Sequence, residues 1–163
     1  MSQKKRGKSL FSLTTVLASF FGAAMIAGAF AYFNYKFSEY KFIDFKNFTF
    51  YEKREIFTPK ADRYVVIFFS SKDVTALEDI KKLHLQQPIL AIDYYNNSFL
   101  NTQNVTFLRS GTSTSLKFIQ RFNIYHSPTI FFIKKIKDTL YKQDSMIRQF
   151  DTLKNISKHI KQL

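Results

Sequence analysis

The chain has 163 residues, of which 45% are hydrophobic and 18% aromatic, enough for one packed domain and too many for a disordered protein. Its formal net charge of +13 favours anionic partners such as an acidic protein or lipid headgroups. It contains no cysteine, which excludes disulfides, thiol catalysis and a lipid-modified cysteine anchor.

Residues 1–8 form a basic cluster, and residues 9–35 contain no ionisable side chain before Lys36. A helix over Leu10–Phe33 would reach about 36 Å at about 1.5 Å per residue, enough to cross a bilayer core. The sequence therefore predicts one transmembrane helix that acts as a signal anchor. Its predicted membrane contacts are Leu10, Phe11, Phe20, Phe21, Tyr32 and Phe33.

The basic cluster predicts a cytoplasmic N-terminus and a translocated remainder, which in a bacterium means the inner membrane and the periplasm. A cleaved signal peptide is the alternative, because Ala27–Ala29 and Ala29–Ala31 each offer an A-x-A site. The apolar run is longer than the usual core of a signal peptide, which favours the anchor.

Residues 36–62 alternate aromatic and charged side chains, which indicates a juxtamembrane stalk that leads into an edge strand around Phe48–Tyr51. A folded domain is predicted for residues 63–163. Its strands and helices follow from apolar runs and helical spacing. Strands are predicted at 63–69, 88–95, 105–108 and 129–133, edge strands at 139–141 and 146–150, and helices at 74–83, 115–122 and from Asp151 to Leu163.

The segment Phe122–Ile133 resembles the cis-proline segment of thioredoxin-fold proteins, with a helix end, a turn, Pro128-Thr129 and a buried strand. The order strand, helix, strand, helix, proline, strand, strand, helix over residues 63–163 is similar to the order of that fold. The resemblance implies a three-layer α/β/α sandwich with a mixed sheet, preceded by the membrane helix. It also implies a cis Ser127–Pro128 bond.

The resemblance aligns Asp73 and Ala76 with the two redox cysteines of the family, and Lys72 with the aromatic residue before them. Asp73 has two interpretations, a helix N-cap and an anion presented to a partner, and the cap is favoured. In the family, the main chain before the cis proline pairs with extended peptides. The candidate partner-binding residues are therefore Lys72, Asp73, His126, Ser127 and Pro128.

Other kinds of site lack their sequence signals. The histidines have no metal-binding spacing, only four glycines are present, and no phosphate loop or hydrolase motif occurs. We therefore expect no metal, cofactor, nucleic acid or catalytic residue.

The leading hypothesis is a membrane-anchored, periplasm-facing, thioredoxin-like domain without redox activity. It would bind protein partners as a scaffold in a bacterial envelope complex, and resembles assembly factors of conjugation and type IV secretion machines. Two alternatives remain open. One is a redox-independent folding chaperone, and the other is a glutathione-transferase-like enzyme that uses Ser70 or Ser71.

Overall fold

The computed structural model describes residues 12–39, 41–151 and 153. Contacts divide the chain into two compact units, with the boundary between Ser38 and Glu39. The first unit contains helix α1 (Leu13–Glu39). Within it, Leu13–Lys36 is long and apolar enough to cross a membrane, with a mean hydropathy of 1.9.

Four of the predicted membrane contacts, Phe20, Phe21, Tyr32 and Phe33, lie on α1 with their rings exposed. Leu10 and Phe11 lie outside the described residues.

The second unit is built on one mixed sheet with a helix on each side. Its strands are β1 (Phe42–Asp44), β2 (Phe50–Glu52), β3 (Glu55–Ile56), β4 (Arg63–Phe69), β5 (Ile89–Asp93), β6 (Val105–Ser110), β7 (Thr129–Lys137), β8 (Leu140–Gln143) and β9 (Arg148–Gln149). Its described helices are α2 (Val74–Lys81) and α3 (Thr112–Phe122).

The strands lie in the order β1-β8-β7-β4-β5-β6-β2-β3, and β9 pairs with the first residues of β7. The central pairs β4–β5 and β5–β6 are parallel, and the flanking pairs are antiparallel. Parallel strands are buried on both faces, which is why β4 and β5 are continuous apolar runs in the sequence.

Each face of the sheet carries its own core. On one face, α2 contributes Ala76 and Ile80 to a cluster with Val65, Ile67 and Ile89. On the other face, α3 contributes Phe118 and Phe122 to a second cluster. Helices on opposite faces make three layers. The order β4, α2, β5, α3, cis proline, β7, β8 is thioredoxin-like, with β6 added between β5 and α3. The predicted fold class is confirmed.

The start of the domain differs from the predicted boundary at residue 63. Strands β1 and β2 belong to the sheet, and they pair with β8 and β6. Ile43, Phe45 and Phe50 are buried in the α3-side core. The charged residues between these aromatic ones face water. Residues 42–57 are therefore a half-buried part of the domain, and the predicted stalk is absent from them.

Among the described residues, the members of the two cores lie between Ile43 and Leu153, all within the second unit. Leu153 is buried in the α2-side core. The rest of the helix predicted after Asp151, residues 154–163, lies outside the described residues.

Candidate functional site

The candidate site lies where β4 ends and β7 begins. These strands are antiparallel, and Phe68 is paired with Thr129. The residues that follow Phe69 and the Ser127–Pro128 pair therefore meet at the same end of the sheet. The Ser127–Pro128 peptide bond is cis, as the sequence predicts.

Asp73 caps helix α2. Its main chain is extended, with φ −88° and ψ 95°, and its Oδ1 accepts a hydrogen bond from the N–H of Ala76 at 3.1 Å. This satisfies one of the free amide groups at the helix start. The cap interpretation is confirmed, and one carboxylate oxygen of an exposed side chain is committed to the fold.

The turn before α2 is held by Asp93, a residue that the sequence analysis did not select. The Asp93 carboxylate is buried, and it accepts hydrogen bonds from the N–H groups of Ser71 and Asn97, both at 2.8 Å. Asn97 also donates to Ser71 Oγ at 2.7 Å. The signal was available, because a carboxylate at the end of a buried strand needs hydrogen-bond donors.

An aromatic surface adjoins this turn. Lys72 Nζ lies 4.4 Å from the centre of the Tyr95 ring, a cation–π distance. Tyr94 and Tyr95 contact each other with ring centres 5.0 Å apart, and both remain exposed. Tyr125, beside His126 in the chain, is 84% exposed. Sequence reasoning missed these three tyrosines, although exposed aromatic rings are typical of protein interfaces.

His126 is exposed, and its Nε2 lies 3.8 Å from Asp151 Oδ1. Asp151 is fully exposed, so this ion pair adds little to stability. The structure thus leaves the imidazole open to solvent at the edge of the site.

Ser127 is the least satisfied residue of the site. Its Oγ is buried and has no hydrogen-bond partner, and its main-chain groups make no hydrogen bond to the described residues. The neighbouring acceptors are occupied, because His126 O accepts from Thr129 Oγ1 and Pro128 O accepts from the N–H of Phe150. Ser127 is therefore a main-chain position next to the cis proline that has no hydrogen-bond partner among the described residues.

The composition of the chain excludes thiol chemistry at this site. With no cysteine in the chain, no thiolate can exchange with a disulfide. Ser71 Oγ accepts a hydrogen bond from Asn97 Nδ2, and no histidine or carboxylate among the described residues is hydrogen-bonded to this hydroxyl. Among residues 12–39, 41–151 and 153, no cluster of three or more histidines and carboxylates is suited to a metal ion.

No protein-family model and no curated protein matches the chain. Among solved structures, the chain is similar to the pneumococcal exposed lipoprotein thioredoxin of Streptococcus pneumoniae. The two are 15% identical, the match covers 64% of this chain and 87% of that one, and the TM-score is 0.40. Because the sequence identity and the TM-score are low, we base the fold on the strand order and draw no function from this similarity.

Proposed function

We propose that this protein is a membrane-anchored, periplasm-facing binding module that lacks redox activity and acts in a bacterial envelope complex. Helix α1 holds it in the inner membrane, and the thioredoxin-like domain recruits a protein partner. A secretion or conjugation machine is the kind of assembly that such a module would serve.

This proposal rests on the unpaired main-chain groups of Ser127. A β-type contact needs unpaired main-chain groups next to a strand, and Ser127 offers them beside β7. Lys72 and His126 flank it with exposed polar side chains, while Pro128 is buried beneath. The tyrosines add apolar area that an interface would cover.

The Asp93 network supports a binding role in a second way. Asp93 holds the turn that carries Lys72 through the N–H of Ser71 and holds the loop after β5 through the N–H of Asn97, so the surface is ordered before a partner arrives. A preorganised surface loses less conformational entropy on binding. A folding chaperone that holds many clients would use the same exposed tyrosines, so the number of partners separates the two functions.

Photo-crosslinking in cells tests the proposal. A photoreactive amino acid replaces Lys72 or Tyr125, and in the control it replaces Lys117, an exposed residue of α3. We expect one discrete envelope-protein adduct from positions 72 and 125, and none from 117. The adduct at position 125 should decrease when Lys72→Glu is added.

Asp73 is a poor choice for this test, because its substitution also removes the cap of α2. Equal adducts at all three positions, or none at any of them, would contradict a contact at this surface. Many adducts from positions 72 and 125 would instead favour the chaperone.

The proposed topology has its own test. A reporter enzyme that is active only in the periplasm is fused after Leu163 in the full chain. Activity is expected, together with a protein that keeps its N-terminal residues in the membrane fraction. A mature N-terminus near Phe30 or Tyr32 would show that the segment is a cleaved signal peptide.

A further inference from the structure

A second concave surface lies away from the cis proline, on the side of the sheet that carries β2 and β3. It is a cleft of about 290 Å³ between the β2–β3 turn, the loop after β5 and the end of β6. Its lining residues are Lys53, Arg54, Ser98, Phe99, Leu100 and Arg109. Three of the six are cations and none is a carboxylate, an arrangement that is unfavourable without an anion to balance it.

The cations are held in place by the main chain. Arg109 lies on β6 opposite Tyr51, and its Nη2 donates to the Lys53 carbonyl at 2.5 Å. Its Nε is buried and has no hydrogen-bond partner. A buried, unpaired guanidinium N–H costs free energy, so the hydrogen bond to the Lys53 carbonyl leaves the Arg109 side chain only partly satisfied.

Lys53 has a left-handed main chain, with φ 56°. Glycine and asparagine adopt this conformation more easily than lysine, so a lysine here has an energetic cost. Such strain is often retained where the side chain has a function. Lys53 thus places a third positive charge at the mouth of the cleft.

Two carboxylates, Glu52 and Glu55, flank these cations in the β2–β3 turn, but neither forms an ion pair with them. Glu52 accepts a hydrogen bond from Asn101 Nδ2 at 2.6 Å, and Glu55 lines the adjoining cleft on the other side of the turn. Lys53 and Arg54 form no ion pair with any residue in 12–39, 41–151 or 153.

The remaining wall of the cleft is apolar. Phe99 packs against Phe107 with ring centres 5.4 Å apart, and it is only partly buried. Leu100 is 82% exposed. A ligand that combined a negative charge with a short apolar segment would contact both kinds of wall.

We propose that this cleft binds a small anionic amphiphile, in which a phosphate or carboxylate group contacts Arg54, Lys53 and Arg109, and an apolar chain covers Leu100 and Phe99. This site is separate from the proposed partner surface and does not depend on it. Lipid phosphates and fatty-acid carboxylates share the required chemistry.

The test uses the compact unit from Glu39 to Leu163, which contains both hydrophobic cores. Amide chemical shifts are followed during titration with dihexanoyl phosphatidylglycerol below its micelle concentration, with decanoate, and with inorganic phosphate. We expect saturable shifts at residues 53, 54 and 109. Arg54→Gln should weaken binding about tenfold, the effect of losing one charged hydrogen bond.

Lys117→Gln is the matched control, because it removes one exposed positive charge outside the cleft, and its effect should stay within about twofold. Leu100→Ser should weaken decanoate and the lipid but leave inorganic phosphate unchanged. A preference for the lipid over decanoate assigns a phosphate headgroup, and the reverse assigns a carboxylate.

Three results would overturn the proposal. One is the lack of saturable shifts for every probe up to about 10 mM. Another is an equal loss in Arg54→Gln and Lys117→Gln, which would indicate general charge attraction. The third is amphiphile binding that Leu100→Ser does not change. Arg54 is exposed and lies in a turn, so its substitution leaves the fold intact.

Discussion

The two faces of the sheet are covered in different ways. On the α2 side, the buried side chains are mainly aliphatic, and α2 itself covers the sheet through Ala76 and Ile80. On the α3 side, most buried side chains are aromatic, and both α3 and residues 43–57 cover the sheet. The rings pack closely there, with Phe122 and Phe131 centred 4.6 Å apart.

The difference shows what the segment before β4 does. Residues 42–57 contain short strands and turns and no helix. Their large rings therefore supply the area that a helix would otherwise bury, and the Phe45 ring contacts both Phe50 and Phe57 in that core. The α3-side core is thus shared between two parts of the chain, whereas the α2-side core needs only residues from β4 onward.

The largest effect should follow from removing that segment. A fragment that begins at Arg63 keeps the α2-side core but exposes the α3-side rings and leaves β6 and β8 without their outer neighbours. Losing several buried aromatic residues at about 3–5 kcal/mol each exceeds the stability of a small domain. We expect no cooperative unfolding transition by circular dichroism.

The control is the fragment from Glu39, which retains both cores and should unfold cooperatively. A cooperative transition in both fragments would mean that the α3 side is stable without the aromatic segment. The sequence-based boundary at residue 63 would then be the right one for folding.

The start of the domain is the part of the fold that the sequence did not predict. The strands β4, β5 and β7 were predictable, because a strand buried on both faces is a continuous apolar run. The strand predicted around Phe48–Tyr51 overlaps β2, but β1 and the place of this segment in the core were not predictable, because the partners of its rings, such as Phe118 and Tyr141, lie far along the chain.

The next effect concerns a tyrosine of the α3 side. Tyr141 is buried, and its hydroxyl donates to Ala61 O at 2.6 Å. Burial raises the pKa of Tyr141 to about 12, and the nearby Tyr64 and Asp62 add to the rise. Tyr141→Phe loses this hydrogen bond, and we expect a loss of about 1–2 kcal/mol in the free energy of unfolding at neutral pH.

The raised pKa of Tyr141 also gives a pH dependence. Between pH 10 and about 12 the unfolded tyrosine loses its proton while the folded one keeps it, so the folded state binds more protons. Stability is therefore complete below pH 10 and falls as pH rises toward 12. Urea titrations at pH 8, 10 and 11 should show a steeper fall for the natural protein than for Tyr141→Phe, and parallel curves would contradict this assignment.

The candidate site was predictable only in part, for a similar reason. Asp73 and Ser127–Pro128 were found because they lie within short local patterns, a helix start and a cis-proline segment. Asp93 was missed, because its hydrogen bond to Ser71 joins residues 22 positions apart, and nothing near it in the sequence names that partner.

The smallest effect should come from the cap of α2, on the aliphatic side. Asp73→Ala removes the acceptor for the N–H of Ala76, and we expect a loss of about 1 kcal/mol, the usual contribution of such a cap. Asp73→Asn keeps an acceptor oxygen and should stay close to the natural protein. Lys72→Ala, a change at the exposed neighbouring position, should leave the free energy of unfolding nearly unchanged.

Urea unfolding measures the total loss, and hydrogen exchange at the first turn of α2 shows where it arises. Because α2 is only eight residues long, its N-terminal amides depend on the cap more than those of a long helix would. Faster exchange in Asp73→Ala, restored in Asp73→Asn, would establish that Asp73 acts through its side-chain oxygen. Equally faster exchange in both variants would show that the negative charge of Asp73 at the start of α2 matters and its side-chain acceptor does not. Exchange as slow as in the natural protein in both variants would contradict a role of Asp73 in the stability of α2.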